Sequence, residues 1–173
     1  ERTKQSKARI VQEANRLFGK NGYYGTRMAD IAEAAGLTGP GLLHHFASKE
    51  ELFLAVLEHR DRADLQYYEN LFKNSAGMNA LDALHALVEY NQTIPEVVRM
   101  FTVLSAESTT PEHPGHEFFV QRYRFFRQQY LDLLKEAQDQ GKIRADIDVE
   151  QLGLLVMAVM DGLQLQWLLD PEQ

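Results

Sequence analysis

The chain contains no cysteine. Disulfides, thiolate metal centres and a cysteine nucleophile are thereby excluded, and what remains fits a reducing compartment. Long apolar runs are missing too. No window holds the roughly 18 uninterrupted apolar residues of a membrane span, and the N-terminal residues lack the charged-then-apolar order of a signal peptide. The expectation is a cytoplasmic protein with no membrane partner. The first residue is Glu1 rather than Met, which leaves room for a natural arm ahead of it. Catalytic signatures are absent as well: no phosphate-cradling glycine loop, no strand-turn-helix nucleophile and no pair of carboxylates in an apolar setting. Neither an enzyme nor a bound cofactor is expected. His113, His116 and Glu117 fall in or beside a loop with no further ligands near them, so no metal site is expected there.

What is present is charge, unevenly spread. The net charge of −7 would argue against nucleic acid if uniform, but residues 1–49 carry eight Lys/Arg against four acids, a surplus of +4 that leaves −11 for the rest. A basic head on an acidic body directs phosphate attraction to one end.

Helical periodicity dominates, and no stretch shows sustained strand alternation with hairpin turns. The class is all-α, and 173 residues can bury a core without staples. A first helix over about 4–20 puts Ile10, Val11, Ala14, Leu17 and Phe18 on one face and ends at Asn21-Gly22. Thr26 is expected to cap a short second helix bearing Met28, Ile31, Ala32 and Ala35, stopped by Gly36. A very short third helix runs from Thr38 to Phe46, with Pro40 in its first turn. Ser48-Lys49-Glu50-Glu51 reads as a capping box that starts a long fourth helix, over 49–73. After a break at Ser75-Ala76-Gly77, helices are expected over about 79–93, 95–108, 116–140 and 149–169, the last apolar on nearly every side.

The two short helices joined by Ala35-Gly36-Leu37-Thr38 have helix-turn-helix spacing, in which the second helix enters the major groove and the first braces it. Geometry alone leaves an ordinary three-helix corner equally open. Thr26, Ile31-Ala32, Ala35-Gly36-Leu37-Thr38, His44-His45-Phe46, Ser48-Lys49 and Leu52, in this order and spacing, resemble the DNA-binding signature of tetracycline-repressor-type (TetR family) transcriptional regulators. The resemblance implies a homodimer that binds a palindromic double-stranded operator and releases it when a small molecule enters the C-terminal domain. It places the DNA reader in residues 1–48 and the effector-binding and dimerisation domain in 49–173, with helix 49–73 connecting them. The competing reading is a helical protein-interaction module that does not bind DNA.

Roles follow from position. Thr26, at a helix N-terminus, can offer its hydroxyl and first-turn N–H groups to a phosphate, with Arg27 adding charge. Lys49 is similarly placed for the opposite flank of the groove. Thr38, Gly39, Pro40 and Gly41 form the end of the recognition helix that meets base edges, followed by Leu43, His44 and His45. The resemblance favours His45 as a phosphate contact. Leu43 stands where the family often has tyrosine, and no Arg, Asn or Gln lies between Thr38 and Phe46. Bidentate pairing to guanine or adenine is therefore unavailable within this helix, which predicts readout through thymine methyls by Pro40 and Leu43, helped by DNA shape, Arg27 and Thr38.

In the C-terminal part, the last two helices carry more apolar surface than one core face needs. With their symmetry mates they would close a four-helix bundle, as the resemblance implies, and Phe118, Phe119, Arg122, Tyr123, Leu155, Val159, Gly162 and Leu163 are the expected interface. Gly153 and Gly162 are read as sites of close helix approach. Tyr68, His85, Tyr90, Met100, Phe101, Leu104, Glu107, Phe126 and Trp167 are the candidate effector residues, aromatic and flexible walls with a few polar tips.

Overall fold

The computed structural model describes the backbone of residues 2–73 and 80–172 and the side chains of residues 5–67, 82 and 84–172. Among the described residues there are eight helices and no strand: α1 (Arg2–Asn21), α2 (Met28–Ala34), α3 (Gly39–His45), α4 (Lys49–Lys73), α5 (Ala80–Thr93), α6 (Pro95–Glu107), α7 (His116–Asp139) and α8 (Val149–Leu169). Each follows the periodicity of the sequence within a residue or two. The break expected at Ser75-Ala76-Gly77 lies outside the described residues.

Local chemistry sets the ends. Gly36 adopts φ +64°, and the N–H groups of Leu37 and Gly36 close on the carbonyls of Ala32 (2.8 Å) and Glu33 (2.9 Å), the paired bonds that end α2 on a left-handed residue. Ser48 Oγ accepts from Glu51 N–H at 3.0 Å while the Glu51 carboxylate takes the Ala47 N–H at 2.7 Å, so the capping box reaches one residue further back than its usual form. Asp148 caps α8 by accepting from the N–H groups of Glu150 (3.0 Å) and Gln151 (3.2 Å).

The chain divides into two compact units, one of Glu1–Tyr67 with Glu96–His116, the other of Tyr68–Pro95 with Glu117–Gln173. Contacts thus divide the molecule elsewhere than the split expected after residue 48. α4 as far as Tyr67 and nearly all of α6 belong with the N-terminal helices. Ile10, Ala14, Phe18, Ile31, Leu42, Phe46, Leu52, Phe53, Leu57, Met100 and Leu104 are all buried in the first unit. Each large apolar side chain there contributes about 1.5–3 kcal/mol, against under about 1 kcal/mol for exposed pairs such as Arg16–Glu13. Apolar packing therefore decides this fold. α6 comes so close to α1 that a Cβ on Gly19 would stand 3.1 Å from that of Met100.

In the second unit, Leu134, Ala137 and Val149 form a buried cluster with Leu131, Leu133, Ile143 and Leu152 around it. α8 is long and apolar enough to cross a membrane by length and composition, and very little of it is buried. The sequence contains no uninterrupted run of that length because Asp161 and several glutamines break it. The mean over the helix nevertheless passes, and its apolar surface lies open.

Candidate nucleic-acid interface

α3 is held by its inward face and presented by its outward one. Leu42 and Phe46 are each 1% exposed, fixing the helix to the core, and Lys7 Nζ lies 5.0 Å above the Phe46 ring. Thr38 caps α3 through its Oγ1, which accepts from Gly41 N–H at 3.2 Å. Thr38, Gly39, Pro40, Leu43 and His44 are exposed, while Gly41 and His45 are half-buried. Leu43, at 52% exposure, is a large apolar side chain standing free on this surface, and nothing lies within 4 Å of a Cβ built on Gly39. The outward ridge therefore carries small and apolar groups, as read from the sequence.

Two expected phosphate ligands prove to be committed elsewhere. Thr26 is completely buried, and its hydroxyl donates to the carbonyls of Gly22 (2.8 Å) and Leu17 (3.1 Å) at the end of α1. Arg27, not Thr26, is the N-cap of α2, and its side chain makes no cap bond. Thr26 is a buried tie between α1 and the start of α2 because only a short hydroxyl can satisfy those carbonyls without leaving the core. Lys49 Nζ likewise donates inward, to the carbonyls of Tyr23 (3.0 Å) and Thr26 (3.1 Å), and sits 4.2 Å from the centroid of the Tyr23 ring. Its charge is placed on two carbonyls of the link from α1 to α2, of which that of Tyr23 also accepts the Thr26 N–H at 3.3 Å. Arg27 remains outward, 81% exposed, with a two-point bond to Asp30 at 3.1 Å that holds the guanidinium over the N-terminus of α2.

A group that sequence reading did not bring together buttresses this link. The Glu107 carboxylate, at the end of α6, accepts the Tyr23 N–H at 2.6 Å across 84 positions of chain. Behind it lies His113, whose side chain is fully buried among the rings of Tyr23, Tyr24 and Phe53. Its Nδ1 accepts from Gly115 N–H (3.1 Å) and lies 2.9 Å from Ser108 Oγ, which assigns the proton to Nε2, 4.0 Å from Glu107 Oε2. Burial pushes the His113 imidazole below its ordinary value, Glu107 opposes that, and His116 and Lys49 add to it. No pattern in the sequence signals a bond spanning 84 residues. The only hint was a Glu closing an apolar helix.

The expected effector residues scatter. Met100 and Leu104 are fully buried in the core of the first unit and Glu107 holds Tyr23, so these three pack with the N-terminal helices instead of lining a pocket. His85 is exposed and pairs with Glu89 at 3.7 Å, and Arg122 lies 4.7 Å over the Phe126 ring. Tyr90 and Phe101 are half-buried, and the side chain of Tyr68 lies outside the described residues. In the second unit a cavity of about 300 Å³ opens between α5 and α8, lined by Val88, Asn91, Gln92, Met160, Leu163, Gln164, Gln166 and Trp167. Of the expected effector residues whose side chains are described, Trp167 alone contributes to it.

The expected interface residues divide as well. Leu155 (60%), Val159 (48%) and Leu163 (54%) recur every fourth position along α8 and stand open, and Tyr123 is exposed. Gly162 has open space around it, and a Cβ on Gly153 would make an ordinary contact with Leu134 at 3.7 Å, so neither glycine marks a close approach within the chain. Phe118 is half-buried and packs edge-on against Phe119. Phe119 is 5% exposed and Arg122 is half-buried, burial pushing the pKa of its guanidinium down to about 10, so neither stands open as the α8 stripe does. Tyr123 Oη donates to Asp161 at 2.9 Å, pinning α7 to α8.

Comparison with known proteins agrees with this geometry. Residues 10–56 match the sequence model of bacterial regulatory proteins of the tetR family, and residues 79–173 that of the C-terminal region of BetI-type transcriptional repressors. The chain is 28% identical to the transcriptional regulator ArpR of Pseudomonas putida over 99% of its length and 84% of that protein. It is 27% identical to the transcriptional repressor AcnR of Corynebacterium efficiens over 91% of its length and 79% of that protein. A transcriptional regulator from Saccharomonospora viridis, solved in complex with choline, superimposes with a TM-score of 0.79 at 25% identity, covering 98% of this chain and 88% of the other.

Proposed function

Because the chain belongs to the TetR family of DNA-binding transcriptional regulators, we propose that it is a homodimeric repressor that occupies a palindromic operator and leaves it when a small molecule binds. The observation that carries this reading is the α3 ridge, anchored by Leu42 and Phe46 and turned outward through Pro40 and Leu43. Two half-sites need two readers, and the open Leu155, Val159 and Leu163 stripe on α8 supplies a self-complementary apolar surface to join them. That pairing also accounts for the membrane-like hydropathy of α8. Repression needs nothing more than a dimer blocking a promoter.

In functional terms residues 1–48 read DNA and residues 49–173 pair and receive the effector, the protein acting in the cytoplasm. Arg27 and His45 serve as phosphate contacts, and Thr38, Gly39, Pro40, Gly41, Leu43 and His44 face the groove. The effector site is the α5–α8 cavity, whose four amide side chains offer hydrogen-bond donors and acceptors and whose Trp167 offers an aromatic face, a lining that suits a small polar molecule or an organic cation. The choline-bound relative makes choline the first compound to try, since Trp167 can face a quaternary ammonium.

Binding-site selection from random duplexes, followed by fluorescence anisotropy across salt concentrations, tests the reading. A selected palindrome whose affinity falls steeply with salt supports it. No enrichment, with the protein folded, would leave the helical interaction module as the better account.

A further inference from the structure

Both backbone groups of Tyr23 are gripped by charged side chains. Gly22, at φ +71°, ends α1 and turns the chain so that the Tyr23 N–H has no helical partner. Glu107 takes that N–H at 2.6 Å, and Lys49 takes the carbonyl of the same residue at 3.0 Å and the Thr26 carbonyl at 3.1 Å. An anion on the Tyr23 N–H and a cation on the Tyr23 carbonyl each complement the partial charge of one of the two peptide units that flank this residue, and both bonds are charge-assisted. Thr26 follows three residues on and Arg27, the N-cap of α2, comes next, so a link held at Tyr23 and at the Thr26 carbonyl holds the N-terminus of α2 too. Behind Glu107 the segment Ser108–Gly115 is folded onto His113, whose Nε2 stands 4.0 Å from the carboxylate. The fit is close: a Cβ on Gly22 would stand 2.0 Å from Glu107 Oε1.

We propose that Glu107 is a positioning residue for DNA binding, fixing through the Tyr23 N–H the seat of α2 on which α3 is presented. This rests on the DNA-binding reading above. Glu107 touches no DNA. It acts by making one orientation of the link from α1 to α2 the populated one, so that binding does not spend energy on ordering it.

The test uses the full chain and a duplex selected by the parent protein. Glu107→Leu, which keeps bulk and removes the acceptor, is expected to weaken binding about tenfold. Its salt slope should match the parent's, since no phosphate contact is lost. Glu107→Gln, whose amide oxygen can still accept, is expected to restore affinity to within about threefold, which simple loss of packing or of charge would not do. Exchange of the Tyr23 amide with solvent should quicken in Glu107→Leu and not in Glu107→Gln. If Glu107→Leu does not fold, Glu107→Asp, one methylene too short to reach, takes its place with the same expectation. Parental affinity in the variant lacking the bond, or equal loss in Glu107→Gln, overturns the proposal. A parent chain that enriches no duplex overturns the DNA-binding reading and takes this inference with it.

Discussion

Lys49 Nζ donates to the carbonyl of Thr26 at 3.1 Å, tying the first residue of α4 to the doorstep of α2. A lysine at the edge of a DNA-reading domain is ordinarily counted as a phosphate ligand, but this one is occupied by two carbonyls and an aromatic face. Lys49→Met should therefore weaken duplex binding about tenfold by loosening the link, while the slope of log affinity against log salt changes by less than about one per protomer. A full unit of lost slope in anisotropy titrations would return Lys49 to direct phosphate contact.

Thr26 gives a stability prediction. Its buried hydroxyl donates to the Gly22 and Leu17 carbonyls across this junction, so Thr26→Val removes that donor at unchanged volume. The cost is about 1–3 kcal/mol. For a chain of this size, that lowers Tm by about 3–10 °C in calorimetry. Thr26→Ser keeps the donor and should lose less.

Leu43 separates specificity from folding. It is 52% exposed on α3, so Leu43→Ala should leave Tm within about 2 °C of the parent. Duplex affinity should fall about tenfold if the side chain packs on thymine methyls. Selection experiments should return half-sites rich in A·T under this helix. A half-site anchored there by G·C pairs would contradict the readout argued for Pro40 and Leu43.

His113 predicts a pH dependence. Its folded-state pKa lies below its ordinary 6.5, because burial disfavours the charged ring more than Glu107 in α6 favours it, with His116 at the start of α7 and Lys49 in α4 adding to the depression. The unfolded chain therefore binds the proton more readily. Stability from this residue is complete above pH 6.5 and declines as pH falls from there towards the lower folded value. Denaturant midpoints measured on both sides of that window should fall on acidification in the parent. The fall should shrink in His113→Gln, which cannot take the proton.

α8 predicts the assembly. Charging two residues of its open stripe, Leu155→Glu with Val159→Glu, should convert a dimer to a monomer in sedimentation at unchanged helicity. Each leucine or valine fully buried in a dimer is worth about 1.5–3 kcal/mol, so two charges in that surface are decisive. A double variant that still sediments as the parent does would move the interface elsewhere. Trp167→Ala, in contrast, should leave assembly intact and abolish any thermal shift given by a cavity ligand.

Helix boundaries, the turn at Gly36, the cap at Thr38, the basic head and the exposed ridge of α3 were all written in the sequence, because each depends on residues within a turn or two of one another. The open leucines of α8 were legible for the same reason: periodicity along one helix shows on its face. Direction was not legible. Thr26 and Lys49 stand where phosphate ligands stand, yet their donors turn inward, since which carbonyls lie within reach is set by how α1, α2 and α4 cross. The same holds for Met100, Leu104 and Glu107, whose helix joins the DNA-reading unit by packing against Gly19 and Tyr23, more than seventy residues away. Short-range pattern fixes what a residue can do; the tertiary crossing of helices decides which partner it finds, because a hydrogen bond's reach is a few ångströms in space whatever the distance along the chain.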